Sequence, residues 1–225
     1  MNVNKITTKL KEEYQQDNID QRFIYQLIST CRKAIATHLI NVYSLFRLAN
    51  RNALEIVCVY ESLFTHNAGD QQWVVWLINT LINELRLELI EVRSENTLNN
   101  IIEKHVAPGN VICSDSWSGY NFLSRPNSGY QHNVANHHQG IFGLTSRIEG
   151  VWGEIKSLIK NMYYSIHSIH FIYFLKEAEY RRCIKNLNPT EKLNDFANVL
   201  STVGINQFLD EDDLIALDYS VNFDD

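Results

Sequence analysis

The sequence predicts an α/β domain, a mixed five-stranded sheet flanked by helices, with a helical segment in front of it. Three observations carry this reading. The stretch before residue 50 repeats its apolar side chains at helical spacing with no Pro or Gly. Residues 53–92 switch to short β-rich runs separated by polar turns. Beyond residue 94, helical and β-rich patterns alternate. The composition agrees: 225 residues, 45% hydrophobic and 20% charged, suit a globular chain large enough to bury a core.

The elements follow in order. Phe23 to Ile28 and Ile35 to Ile40 recur at helical spacing, so two or three helices are expected over residues 5–50. No basic recognition face marks a helix-turn-helix there, which leaves helical packing as the reading. Ala53 to Tyr60 reads as the first strand, Thr65 to Gln72 as a turn, and Trp73 to Ile78 as the second strand. Leu85 to Val92 alternates apolar with charged residues, the pattern of a half-buried third strand, and the three form an antiparallel meander. Ser94 caps a helix running to His105 that Pro108-Gly109 closes. Val111 to Asp115 is a fourth strand, reached through a helical crossover and therefore parallel to an earlier one. Gly129 to Ala135 supplies a short fifth. Ser146 to Tyr163 and His167 to Ile184 are helical, and Asn188-Pro189 ends them. Three consecutive strands followed by alternating helices and strands is the order of an RNase H-like fold. The expected layout is a helical segment over 1–50, the RNase H-like domain over 51–187 and an acidic C-terminal tail over 188–225.

The net charge is −6, but it is unevenly spread. Seven acids and no base lie between Asp210 and Asp225; without them, 19 acids face 20 bases. Bulk charge therefore gives no support to strong nonspecific DNA binding and does not exclude it. Cys31, Cys58, Cys113 and Cys183 are dispersed, with no CxxC pair, so reduced and mostly buried thiols are expected rather than a zinc knuckle or disulfide framework. No apolar run is long enough to span a bilayer, and the first residues lack the apolar core of a signal peptide. The expectation is an intracellular protein, nuclear in a eukaryote or cytoplasmic in a bacterium, with no membrane partner.

Two acids carry the chemistry. Asp115 ends the fourth strand in Val111-Ile112-Cys113-Ser114-Asp115-Ser116-Trp117, and Glu149 opens a helix in Arg147-Ile148-Glu149-Gly150-Val151-Trp152. A carboxylate at a strand end and another on a later helix is how polynucleotidyl transferases hold divalent metal. Further motifs accompany them: Glu61-Ser62-Leu63-Phe64, Trp73-Val74-Val75, His105 to Gly109, Ser114 to Asn121, Gly129 to His132, and Val134 to His137. In this order, from Val57 to Arg182, they resemble the Merlin-type DDE transposases and their bacterial insertion-sequence (ISXO-like) relatives, in the RNase H-like integrase superfamily.

The resemblance implies DNA cleavage and strand transfer at transposon ends, Mg²⁺ or Mn²⁺ as a pair of ions, DNA as partner and a homodimer or larger assembly. Two ions about 4 Å apart stabilise both the attacking and the leaving oxygen at a phosphodiester, and hard cations call for carboxylate oxygens. Asp115 and Glu149 would each hold one ion, with the bridging acid on the first strand. That position holds Tyr60, where family members carry Asp before Glu-Ser or Glu-Thr. A neutral phenol, with a pKa of about 10, is a poor ligand. Glu61 points to the opposite sheet face if the strand persists. Family members also place Gly where this chain has Trp76, and Ser146 stands where an Asn is common. These departures fit a decayed or domesticated copy, so cleavage is expected to be impaired. A catalytically inactive DNA- or protein-binding module on the same scaffold is the alternative; an unrelated metal-dependent nuclease rests on fold analogy alone.

Lys156 lies two helical turns beyond Glu149, with Lys160 four residues later, and the pair is a candidate DNA contact; a solvated lysine face is the equal alternative. His132, His137 and His138 lack the partners of a zinc set, and His167 and His170 read as surface residues. Trp117 and Trp152 read as packing beneath the acids.

Overall fold

The computed structural model describes residues 3–14, 20–50, 54–65, 71–135, 150–157 and 170–204. Two helices lead, α1 (Val3–Tyr14) and α2 (Gln21–Leu45), and Asp20 caps the second through Arg22 N–H. The sheet follows: β1 (Ile56–Thr65), β2 (Gln71–Asn79), β3 (Glu84–Ile90), β4 (Val111–Ser114) and β5 (Gln131–Val134). Helix α3 (Glu95–His105) connects β3 to β4, with Ser94 as the expected N-cap. Residues 150–157 are helical (α4), and α5 (Phe171–Cys183) and α6 (Pro189–Val203) complete the order.

The strand order is β3-β2-β1-β4-β5. β1, β2 and β3 pair antiparallel as the meander predicted, while β4 lies parallel to both β1 and β5. Alternation along the strands makes two cores. On one face Val57, Val59, Val75, Leu77 and Ile112 pack with α3 and the segment after β4. On the other, Cys58, Val74, Trp76, Leu85, Leu87 and Cys113 pack with Ile155 of α4 and Phe171, Leu175 and Ala178 of α5.

Three elements differ from expectation. β1 does not stop at Tyr60 but runs on to Thr65, because Glu61 to Thr65 keep their ladder with Val75 to Gln71. Ser118–Ser124 form a 3₁₀ helix, carried by buried Tyr120, Phe122 and Leu123, which the polar Ser-Gly-Tyr-Asn sequence did not announce. Residues 189–203, expected within the tail, form α6. Asn188-Pro189 starts a helix instead of only ending one: Asn188 and Glu191 make a reciprocal capping box with Pro at the first turn. Val199 of α6 then joins Ile35, Leu39 and Tyr43 of α2 and Tyr180 of α5 in a third cluster.

The outer edge of β3 is sealed by charge. Lys176 Nζ donates to Leu87 O at 2.7 Å and to Glu179 Oε1 at 2.8 Å, and Glu179 Oε1 accepts Leu87 N–H at 2.6 Å. An ion pair on α5 thus occupies both backbone groups of Leu87, which another strand would otherwise use. Tyr43 of α2 donates its hydroxyl to the second Glu179 oxygen, and Arg32 of α2 pairs with Glu177 at 2.6 Å. These contacts fasten the leading helix α2 to α5.

Candidate active site

β1 and β4 run side by side with Cys58 opposite Cys113. Carrying that register forward two residues sets Tyr60 level with Asp115, which lies one residue past the end of β4. Asp115 is half-buried, and its Oδ1 accepts Trp117 N–H at 3.0 Å, closing a short turn at the strand exit. Ser114 Oγ reaches the Asp115 carbonyl at 2.9 Å and His132 Nε2 at 2.8 Å; His132 Nδ1 meets Ser124 Oγ at 2.7 Å. Burial holds the His132 pKa below its ordinary value, so the imidazole tends to neutrality and serves this network. His132 sits in β5, not in a loop, and its two ring nitrogens meet serine hydroxyls.

Tyr60 belongs to an aromatic layer on the α4 face. Its ring meets Trp152 edge-on at 5.6 Å, and Trp152 meets Trp76 in the same way at 6.3 Å. Phe64 stacks on Trp76 at 6.3 Å and touches Phe171 at 5.3 Å. Tyr60 and Trp76 are direct cross-strand partners, so the two departures noted in the sequence are one feature in space. Trp76 is fully buried, with its indole N–H on Ser62 Oγ at 2.7 Å. Trp152 is packing beneath the site, as its spacing suggested. Lys156 lies with its ammonium 3.1 Å above the Trp152 ring, and burial lowers its pKa.

Glu61 falls on the opposite face. Its carboxylate accepts from Arg93 Nε at 2.9 Å, and its side chain is 1% exposed. Burial pushes its pKa up, helped by nearby Asp115 and opposed by Tyr120 and Arg93. The Tyr120 hydroxyl is close enough to exert that pull, yet neither it nor Glu61 Oε2 makes a hydrogen bond of normal geometry. Arg93 in turn covers Trp117, 3.6 Å above its ring. Trp117 also packs closely on Gly119, where an added Cβ would stand 2.0 Å from the indole. Arg93 escaped the sequence reading, and Gly119 entered it only as part of the Ser114 to Asn121 motif. Arg93 lies three residues past the end of β3, between Glu91 and Ser94, and nothing in the pattern separates it from a solvated surface arginine.

Glu149 and Lys160 lie outside the described residues, as do His137, His138, Ser146 and His167. The described residues do not fit a two-ion centre. No three His, Cys, Asp or Glu side chains converge among them. Asp115 brings one carboxylate, Tyr60 brings a phenol set among indoles, and Glu61 is committed to Arg93. A cavity of about 340 Å³ bordered by Asn83, Gly150, Glu154, Arg182 and Lys185 includes neither Tyr60 nor Asp115. Both of its cations are paired with Glu154, at 3.3 and 2.6 Å.

The strand order, the parallel β1–β4 pair and a carboxylate at its exit define an RNase H-like domain of the transposase and integrase kind. The chain belongs to the ISXO2-like transposase domain family, whose model matches residues 64–182. The match takes in Asp115, Glu149, Lys156 and Lys160 but begins four residues after Tyr60, so the standing of Tyr60 rests on strand register. No curated protein matches the chain. Among solved structures it is similar to a chain of the simian T-cell lymphotropic virus intasome in complex with PP2A regulatory subunit B56 gamma. That match has 12% identity and a TM-score of 0.44, and covers 64% of this chain and 53%, about half, of that one. It is also similar to the HTLV-2 integrase catalytic core domain in complex with magnesium. The dimeric form matches at 11% identity and TM-score 0.39, covering 61% of this chain and 92% of that one. The trimeric form matches at 11% identity and TM-score 0.36, covering 66% and 95%. No helix among the described residues is long and apolar enough to cross a membrane.

Proposed function

We propose that this chain is a DNA strand-cleavage and strand-transfer domain of the two-metal kind whose catalysis is impaired by Tyr60. The observation that carries the proposal is the Tyr60–Trp76 pair, level with Asp115 and packed against Trp152. An ion beside Asp115 needs hard oxygen donors and room for water. At this level the β1 side offers aromatic carbon and a phenol, a poor ligand for a hard cation. Glu61 cannot substitute, because β1 continues through it and turns its side chain to the other face. Asp115 and Glu149 are proposed as the remaining metal ligands, for Mg²⁺ or Mn²⁺. Lys156 and Lys160 are proposed DNA contacts, with Lys156 held meanwhile on Trp152. DNA is the proposed partner, and self-association into a homodimer follows from the same reading.

A second reading is a catalytically inactive DNA- or protein-binding module. It is favoured by the apolar layer itself, since Phe64, Trp76, Trp152 and Phe171 form a packed core around the position of the missing acid. The two readings separate in a nicking assay on supercoiled DNA with Mg²⁺ or Mn²⁺. Impaired catalysis predicts trace nicking by the native chain, abolished by Asp115→Asn, and a gain of about ten-fold or more for Tyr60→Asp as the third carboxylate returns. No nicking by either Tyr60 form favours the module. Nicking by the native chain as fast as by Tyr60→Asp refutes impairment.

A further inference from the structure

Arg93 is fixed in place but not used up. Its Nε is bound to Glu61 at 2.9 Å, and its guanidinium carbon lies 3.6 Å over Trp117 and 4.9 Å over Trp73. The buried end of this assembly is Glu61, whose side chain is 1% exposed, whereas the Arg93 side chain is 28% exposed. Its Nη groups meet no acceptor among the described residues. Solvent therefore faces a guanidinium that Glu61 and an indole have already oriented.

We propose that Arg93 binds a phosphodiester phosphate of the DNA strand presented to Asp115, a reading that rests on the DNA function proposed above. Three physical points converge. A guanidinium offers a planar fork of donors that matches two oxygens of a phosphate, which an ammonium cannot do. Holding that fork in advance removes much of the ordering cost that a free surface arginine meets on binding. The location is also fitting: the indole beneath Arg93 belongs to Trp117, whose backbone N–H holds the Asp115 carboxylate. A strand bound there lies beside the candidate acid, on the face of β1 that the aromatic layer leaves alone. The body of the chain is close to neutral once the acidic C-terminal stretch is set aside, so its DNA affinity has to come from placed contacts of this kind.

The test is fluorescence anisotropy of a labelled duplex with the full chain in EDTA, over a salt series. It compares Arg93→Gln and Arg93→Lys with Arg22→Gln, an exposed arginine at the start of α2 that removes the same charge. Arg93→Gln is expected to weaken binding about ten-fold and to lower the salt slope by about one. Arg93→Lys keeps the charge and should lose most of the same affinity; Arg22→Gln should change it less than about two-fold. Thermal melts show whether each variant folds, and Arg93→Lys, which retains a cation beside Glu61, carries the test if Arg93→Gln does not. Native affinity in Arg93→Lys, or equal losses in Arg93→Gln and Arg22→Gln, overturns the assignment of Arg93 alone. A native chain that binds no duplex at low salt overturns the DNA reading, and this inference with it.

Discussion

The outer edge of β3 and the exit of the β1–β4 pair treat charge in opposite ways. At the β3 edge, Lys176 and Glu179 are at most 2% exposed, and the ion pair is bonded to the strand backbone and to Tyr43. At the β1–β4 exit, the position expected to carry an acid holds Tyr60, and the layer around it is aromatic. A buried ion survives where partners surround it, and burying one without them costs several kcal/mol. A catalytic carboxylate is the unpartnered kind, since its partner arrives with metal and substrate. Under the proposed impairment, a packed ring at that position avoids the cost of an unpartnered acid. On the proposed reading, the contrast is between a scaffold kept by its buried partners and a site that Tyr60 impairs.

The largest expected effect breaks the sealed edge. Glu179→Ala leaves Lys176 buried and the Leu87 N–H unpaired, and should lower unfolding free energy in urea by about 3–5 kcal/mol. A loss below about 1 kcal/mol would show that the edge is not held by this pair.

The second effect is acid sensitivity where β3 meets α3. Glu88 meets His105 at 2.6 Å and Lys104 at 2.8 Å. Burial alone would raise the Glu88 pKa, but His105, Lys176 and Lys104 outweigh it and bring it from the ordinary 4.5 down to about 2. Burial also depresses the His105 pKa below 6.5. Both folded values lie below their unfolded ones, so the unfolded chain takes up more protons as pH falls. The stability is complete at neutral pH, begins to go below 6.5 and falls further between 4.5 and about 2. The Glu88 share is on the order of 3 kcal/mol. Urea midpoints at pH 7, 5 and 3 measure it, and Glu88→Gln should flatten the lower window.

Two smaller effects sharpen the comparison. Gly119→Ala drives a methyl group into the Trp117 indole and should cost about 1–2 kcal/mol while disturbing the turn that holds Asp115. Trp117 fluorescence should shift in the folded variant, and an unchanged spectrum would mean that the ring is not clamped there. Asn188→Ala removes the cap of α6 and should cost about 1 kcal/mol in the same urea assay.

Much of the fold was legible because its signals are local. Alternation in Leu85 to Val92, the Ser94 cap and the crossover to Val111 led to the observed strand directions. The start of α6 was equally local, in Asn188-Pro189-Thr190-Glu191, but Pro was read as a stop signal only. What sequence could not reveal is pairing across space. Tyr60 with Trp76, Glu61 with Arg93, and Lys176 with Leu87 are 16, 32 and 89 residues apart. No periodicity connects them. Part of the candidate site remains a sequence expectation, since Glu149 and Lys160 lie outside the described residues.

Calorimetric Mn²⁺ titration of the native chain beside Tyr60→Asp tests the central claim most directly. The account predicts no saturable binding by the native chain in the millimolar range and a clear isotherm for Tyr60→Asp, at least about ten-fold tighter and lost on Asp115→Asn. Equal, tight binding by both forms would contradict it, because the phenol would then be no obstacle to the ion.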